Sequence, residues 1–175
     1  MAIGHREKRA GLLIGRFQPF HNGHLEMVNQ STQNVDVLYI VVGSINKKDE
    51  KNPFSALERK MMILNSVSNE VASKLKILFV PDFNNDPKWM ECIDYLVPKY
   101  DVIYSSDDEM SLLLRRMGKK VEEIKQIDRK ILSGTKMRQM LFEGKDISKH
   151  LPSGTRGVIA MSSDSALMAL LQKRG

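Results

Sequence analysis

The 175-residue chain is 42% hydrophobic and carries a formal net charge of +6, which suits one compact domain with a real core and leaves too little chain for two. No apolar run reaches the ~18 residues a membrane span needs, the opening MAIGHREKRAGLLIG lacks the apolar stretch and cleavage site of a signal peptide, and the lone Cys92 excludes an internal disulfide framework and a thiolate metal cluster. A cytoplasmic protein with no membrane partner is expected, and its charge favours anionic partners without separating polynucleotides from small phosphorylated ligands.

Residues 11–15, GLLIG, read as a short strand, and after a histidine-containing turn Leu25 and Val28 repeat at helical spacing until polar residues gather at Asn29 to Asn34. VDVLYIVV, 35–42, is β-branched and nearly continuous in hydrophobicity, as in a strand covered on both faces of a parallel sheet. A polar loop leads to a helix starting at Ser55, where Ser55 and Glu58 fit a capping box and Leu57, Met61 and Leu64 form the apolar stripe. LKILFV, 75–80, is the third strand and 87–97 the third helix. DVIYSS, 101–106, is the fourth strand, followed by a helix with Met110, Leu113 and Met117 on one face, Arg115 and Arg116 in its last turn and Gly118 as its stop. VEEIKQI, 121–127, is a fifth strand, and SGTKMRQMLFEG predicts a helix capped by Ser133 and ended by Gly144. The tail, 153–175, reads as helical with an interruption near Ser162 to Asp164, and residues 1–10 as flexible. Repeated strand and helix alternation implies a single α/β domain over 1–175, a Rossmann-like doubly wound parallel sheet of about five strands with helices on both faces and a small C-terminal helical part.

Ligands of such sheets bind at the carboxyl ends of the strands, so the residues just after each strand are the candidates. His21 and His24 flank Gly23 at a predicted helix start, where unpaired N–H groups and the helix dipole favour an anion and the glycine removes a side chain. That arrangement fits a phosphate clamp; incidental surface histidines or half a zinc site are the competing readings, and zinc lacks a recurring set of further ligands. In SGTKMR, Lys136 and Arg138 lie in the first turns of a helix, where the dipole disfavours cations by ~0.3 to 1 kcal/mol each. A bound anion would compensate, with Ser133, Gly134 and Thr135 completing the cradle; the plain alternative is a capping serine with the two cations in solvent.

GRFQPFHNGHL, 15–25, together with SGTKMR, closely resembles the signatures of the H-x-G-H nucleotidyltransferases, and the NPFSALER segment, 52–59, with a tryptophan after the third strand looks most like their archaeal nicotinamide-nucleotide adenylyltransferases. The resemblance runs from about Gly11 to Pro152. It implies transfer of AMP from ATP to nicotinamide mononucleotide (NMN), giving NAD and pyrophosphate, with His21, His24, Arg16 and Arg138 as the catalytic set and Ser133 and Thr135 helping to hold the phosphates beside Gly23. Gly15, Phe17 and Ser105 would lie near adenine and ribose, though Phe17 also suits the core and Ser105 a strand end. Trp89 would stack on the cationic nicotinamide ring, a contact worth ~1 to 2 kcal/mol when desolvated, unless it packs its own helix. Asp82 and Asn85 would meet the carboxamide or ribose, and Arg59 the substrate phosphate, unless Glu58 and Arg59 serve capping and surface pairing instead. Asp86 stands where archaeal relatives often have Asn. Mg²⁺ would be held by phosphates and water with no protein metal cage, and the relatives suggest a homo-oligomer, a hexamer. Phosphopantetheine, a flavin nucleotide (FMN) or glycerol phosphate are alternative acceptors on the same scaffold; a nucleic-acid-binding role for the HREKR segment finds no recognised module or aromatic platform, so no nucleic-acid partner is expected.

Overall fold

The computed structural model describes residues 7–97, 99–125, 128 and 131–162. In chain order the elements are β1 (Ala10–Gly15), α1 (Asn22–Gln33), β2 (Val37–Val42), α2 (Ala56–Leu64), α3 (Asn69–Lys74), β3 (Leu75–Phe79), α4 (Asp86–Leu96), β4 (Val102–Ser105), α5 (Asp108–Arg116), β5 (Val121–Glu123), α6 (Gly134–Phe142) and α7 (Ser153–Met161). The sheet order is β3-β2-β1-β4-β5, and every pairing is parallel. Strand order therefore reverses between β1 and β4, which opens a crevice at their carboxyl ends.

Period-two alternation sends side chains to two cores. Leu13, Leu38, Ile40, Val42, Val102 and Tyr104 pack with Met27, Val28, Met62 and Ile63 of α1 and α2 on one face. Leu12, Val41 and Ile103 pack with Met90, Ile93 and Leu114 of α4 and α5 on the other. The sheet is thus doubly wound, as the alternating elements imply.

Three details differ from the sequence reading. The stripe expected to bury α2 is its outer face: Leu57, Met61 and Leu64 are 65%, 39% and 37% exposed, while Arg59, Met62 and Ile63 face inward. ALERKMMIL is apolar on two faces, and the inward one contains an arginine, which periodicity counts against it. Helix α3 is additional, started by Ser68, whose hydroxyl accepts from the Val71 N–H. The fifth strand is a three-residue edge strand, and 126–127 of its expected span lie outside the described residues. Among the described residues of the tail, α7 ends at Met161 and is capped by Ser162, where the interruption is expected; the expected remainder at 163–175 lies outside the described residues, as do residues 1–6.

Helix α7 matters to the site because it braces the histidine turn. The buried Thr155 hydroxyl donates to the Phe20 carbonyl at 2.9 Å. Gly154 permits this approach, since a Cβ there would stand 2.3 Å from the Asn65 carbonyl carbon.

Candidate active site

The crevice is a cavity of about 570 Å³ at the carboxyl ends of the strands, bounded by Gly15, Arg16, Phe17, His21 and His24 after β1, Gly43 and Ser44 after β2, and Asp82, Phe83, Asp86 and Trp89 after β3. Ser105, Ser106 and Asp107 after β4, Met110 and Leu113 of α5, and Leu132, Ser133 and Gly134 at the start of α6 complete it. The histidine turn and the SGT turn, more than a hundred residues apart in sequence, open onto the same space.

The two histidines form an unusual capping box. His21 is the N-cap of α1, and its Nδ1 accepts from the His24 N–H at 3.3 Å, while Nδ1 of His24 accepts from the His21 N–H at 3.3 Å. Imidazoles here do the work that Ser or Thr and Glu ordinarily do. With each Nδ1 lone pair engaged, a neutral ring carries its proton on Nε2 and is a donor there. The rings stack with centroids 3.6 Å apart, and Phe17 meets His24 edge-on at 5.0 Å. Burial lowers the His21 pKa to about 4, and burial with the neighbouring His21 lowers that of His24 well below the ordinary value. Both are therefore neutral N–H donors at physiological pH rather than cations.

This carries a stability consequence. Between the folded pKa of about 4 and the ordinary 6.5 of His21, the unfolded chain binds more protons than the folded one, so stability rises with pH through that window. The His21 contribution, on the order of 3 kcal/mol, is complete above the ordinary pKa and lost as pH falls toward the folded one. Urea unfolding at pH 7.5 against pH 4.5 is expected to show the loss, and His21→Asn, which keeps an N-cap acceptor but cannot titrate, is expected to flatten it.

Positive charge gathers at one end. Arg16 is exposed into the cavity, with no ionic partner among the described residues. Arg138 lies behind the SGT turn, 7% exposed, donating to the Gln18 carbonyl at 2.9 Å and to the Thr135 hydroxyl at 3.2 Å. Its pKa is lowered by burial and then by the charge of Arg16, so the two like charges repel, a repulsion that a bound anion would relieve. Gly134 makes room for this bridge, as a Cβ there would lie 3.1 Å from Arg138 Nη1. The Ser133 hydroxyl accepts from the Lys136 N–H at 3.3 Å, so the residue both caps α6 and borders the cavity.

Of the expected site residues, Gly15, Arg16, Phe17, His21, His24, Asp82, Trp89, Ser105 and Ser133 border the cavity. Phe17 belongs to the core, 2% exposed, and also borders the cavity, its ring tight against Gly15, where a Cβ would come within 2.8 Å. Gly23 is buried within the first turn of α1. Thr135 and Arg138 do not border the cavity: Thr135 is exposed, and Arg138 is buried behind the SGT turn. Asn85 does not border the cavity; its side chain caps α4 by accepting from the Lys88 N–H at 2.9 Å.

Arg59 is the main correction. Instead of reaching toward a substrate phosphate, its guanidinium is 1% exposed and donates to the carbonyls of Arg16 at 2.8 Å, Gly43 at 2.7 Å and Ser55 at 3.2 Å. It ties together the chain leaving β1 and β2, and burial lowers its pKa to about 10. Gln18 is a second brace that the motif reading passed over. Its side-chain amide donates to the Phe54 carbonyl at 2.8 Å and accepts the Phe54 N–H at 2.9 Å, which explains why the GRFQPFH and NPF stretches belong together. Ser44 and Asp82 were likewise not paired in advance; the Ser44 hydroxyl donates to Asp82 at 2.7 Å.

A cytidylyltransferase-like family model matches residues 12–140. The nicotinamide-nucleotide adenylyltransferase of Methanococcus aeolicus is 33% identical over 149 residues, covering 85% of this chain and 86% of that protein, and that of Archaeoglobus fulgidus is 33% identical over 152 residues, covering 83% and 87%. Among solved structures, a bifunctional NMN adenylyltransferase/ADP ribose pyrophosphatase from Francisella tularensis superposes with a TM-score of 0.80 at 22% identity over 95% of this chain. This chain spans about half of that one, 53%. A second structure of the bifunctional protein, with a TM-score of 0.79, is complexed with AMP and a manganese ion. With a family model over most of its length and relatives a third identical over more than four fifths of it, the chain belongs to the cytidylyltransferase-like family and, within it, to the nicotinamide-nucleotide adenylyltransferases.

Proposed function

We propose that this chain, acting as one nucleotidyltransferase domain, transfers the adenylyl group of ATP to NMN, forming NAD and pyrophosphate. The observation that carries this reading is the convergence of the histidine pair, Arg16 and the start of α6 on a cavity whose other side holds Trp89. An oxygen of the NMN phosphate attacks the α-phosphorus of ATP in line; the new P–O bond forms as the bond to the α,β-bridging oxygen breaks, and the electron pair leaves on pyrophosphate. The nucleophile is already anionic, so no general base is required. Catalysis then rests on alignment and on stabilising charge that grows on the phosphates.

In this role the Nε2–H of His24 meets the α-phosphate, His21 supports it, and Arg16, Arg138, Thr135 and Ser133 hold the β- and γ-phosphates. Gly15, Phe17 and Ser105 border the adenosine, and Trp89 stacks on the pyridinium ring. The donor set suits an ion brought in by the nucleotide: no three His, Cys, Asp or Glu side chains come together among the described residues, whereas the guanidiniums and N–H donors suit phosphate oxygens. Mg²⁺ would ride on the phosphates and water, supplying charge neutralisation when bound. No helix among the described residues is long and apolar enough to cross a membrane, and we place the enzyme in the cytoplasm as a homo-oligomer.

Incubating the protein with ATP, Mg²⁺ and separately NMN, phosphopantetheine, FMN and glycerol phosphate tests this reading: NAD is the expected product, and turnover confined to another acceptor would overturn it. Trp89→Ala is expected to raise KM for NMN about tenfold while leaving KM for ATP within about twofold. Equal increases in both would mark Trp89 as a packing residue.

A further inference from the structure

The segment that joins β1 to α1 hangs from every second carbonyl. Arg59 of α2 donates to the carbonyl of Arg16 at 2.8 Å, Arg138 of α6 to that of Gln18 at 2.9 Å, and Thr155 of α7 to that of Phe20 at 2.9 Å. Three helices remote in sequence thus each supply one buried donor. The third differs from the others in what its acceptor is joined to. The Phe20 carbonyl and the His21 N–H belong to one planar trans peptide group, in which they point in opposite directions. That N–H donates to Nδ1 of His24 at 3.3 Å. Fixing the carbonyl at one end of a rigid plane therefore fixes the N–H at the other, and with it the rotation of the His24 ring. The donors also run in one direction: a hydroxyl donating to the carbonyl makes the amide N–H a stronger donor, and an imidazole that accepts at Nδ1 becomes a stronger donor at Nε2.

We propose that Thr155 is a positioning residue for His24, acting through the Phe20–His21 peptide group to hold and polarise the Nε2–H that adenylyl transfer uses. This rests on the adenylyltransferase reading above. Thr155 touches no substrate: it is 0% exposed, its hydroxyl is engaged by Phe20, and it does not border the cavity. Its own place is set by α2, against which α7 is pinned at both ends. Gly154 lies so close to the Asn65 carbonyl that no side chain fits between them, and the Ser162 hydroxyl donates to Glu58 at 2.7 Å. The helix that carries Arg59 to the Arg16 carbonyl is therefore also the one that holds Thr155 at the height of Phe20.

Steady-state kinetics of NAD formation by the wild type, Thr155→Val, Thr155→Ala and Thr155→Ser test this, with urea unfolding first used to show that each protein is folded in the assay buffer. Val keeps the shape of Thr and removes the donor, Ala removes donor and methyl together, and Ser keeps the donor. Thr155→Val and Thr155→Ala are expected to lower kcat about tenfold with KM for ATP within about twofold, because ground-state binding is carried by other groups. Thr155→Ser is expected to keep kcat within about twofold of wild type. Should Val not fold, the contrast between Ala and Ser reads the hydroxyl on its own. A side chain that only packs gives the opposite order, with Val active and Ala and Ser both impaired. That order, or a kcat unchanged in all three, would overturn the proposal while leaving the adenylyltransferase reading intact. A wild type that forms no NAD would overturn both.

Discussion

Replacing His24 by alanine is expected to lower kcat for NAD formation by about 100- to 1,000-fold, the usual cost of removing one donor aimed at charge that develops in the transition state. The geometry explains why the loss should fall on kcat. His24 is held by its Nδ1, which accepts the His21 N–H, by stacking on His21 and by the edge-on contact with Phe17, so its Nε2–H is oriented before substrate arrives and needs no reorganisation. It is also neutral, because burial and His21 lower its pKa, so it contributes a directed hydrogen bond whose strength grows with the charge it meets. Ground-state ATP binding, shared among Arg16, Arg138 and the α6 amides, should fall far less. Loss of the reciprocal cap should cost about 1 kcal/mol of stability, small enough for the folded variant to be assayed. Steady-state kinetics with ATP and NMN check this, and a kcat within about fivefold of wild type would remove His24 from the catalytic role.

The second large effect is expected at Arg59. Arg59→Ala should destabilise the fold by about 3 to 5 kcal/mol, since the carbonyls of Arg16 and Gly43 lose their donor inside the protein while that of Ser55 keeps the Arg59 N–H, and urea unfolding measures it. Both orphaned carbonyls lie at the cavity rim, so activity and stability should fall together. Arg59→Lys should recover part of the stability only, because a single ammonium cannot span carbonyls that a planar guanidinium reaches at once. A substrate-binding arginine would behave differently, raising KM with stability nearly unchanged, and that outcome would reinstate the phosphate-contact role its charge first suggested.

These two residues show what was legible in the sequence. The histidines announce themselves because the chemistry is local: strand, turn and helix start are all within eleven residues of GRFQPFHNGHL, and position after a strand supplies the function. Helix stops were equally local, Gly118 and Gly144 taking φ of +76° and +68° where other residues are strained. Arg59 was not legible, because its partners come from the ends of two strands and a buried arginine looks the same in sequence as a solvated one. The Gln18 to Phe54 clasp was hidden for the same reason. On α2 the stripe failed because two faces are apolar and only tertiary packing chooses between them. Asn85 was read for its position after β3, but the free N–H groups of α4 had the prior claim on its side chain.

The most direct test of the account is a crystal structure of the protein with Mg²⁺ and a non-hydrolysable ATP analogue. The expected result is one triphosphate lying between the two turns, with Nε2 of His24 and the Ser133 to Gly134 end of α6 both within hydrogen-bonding distance of its phosphate oxygens. A triphosphate held by one turn while the other faces only solvent would contradict it.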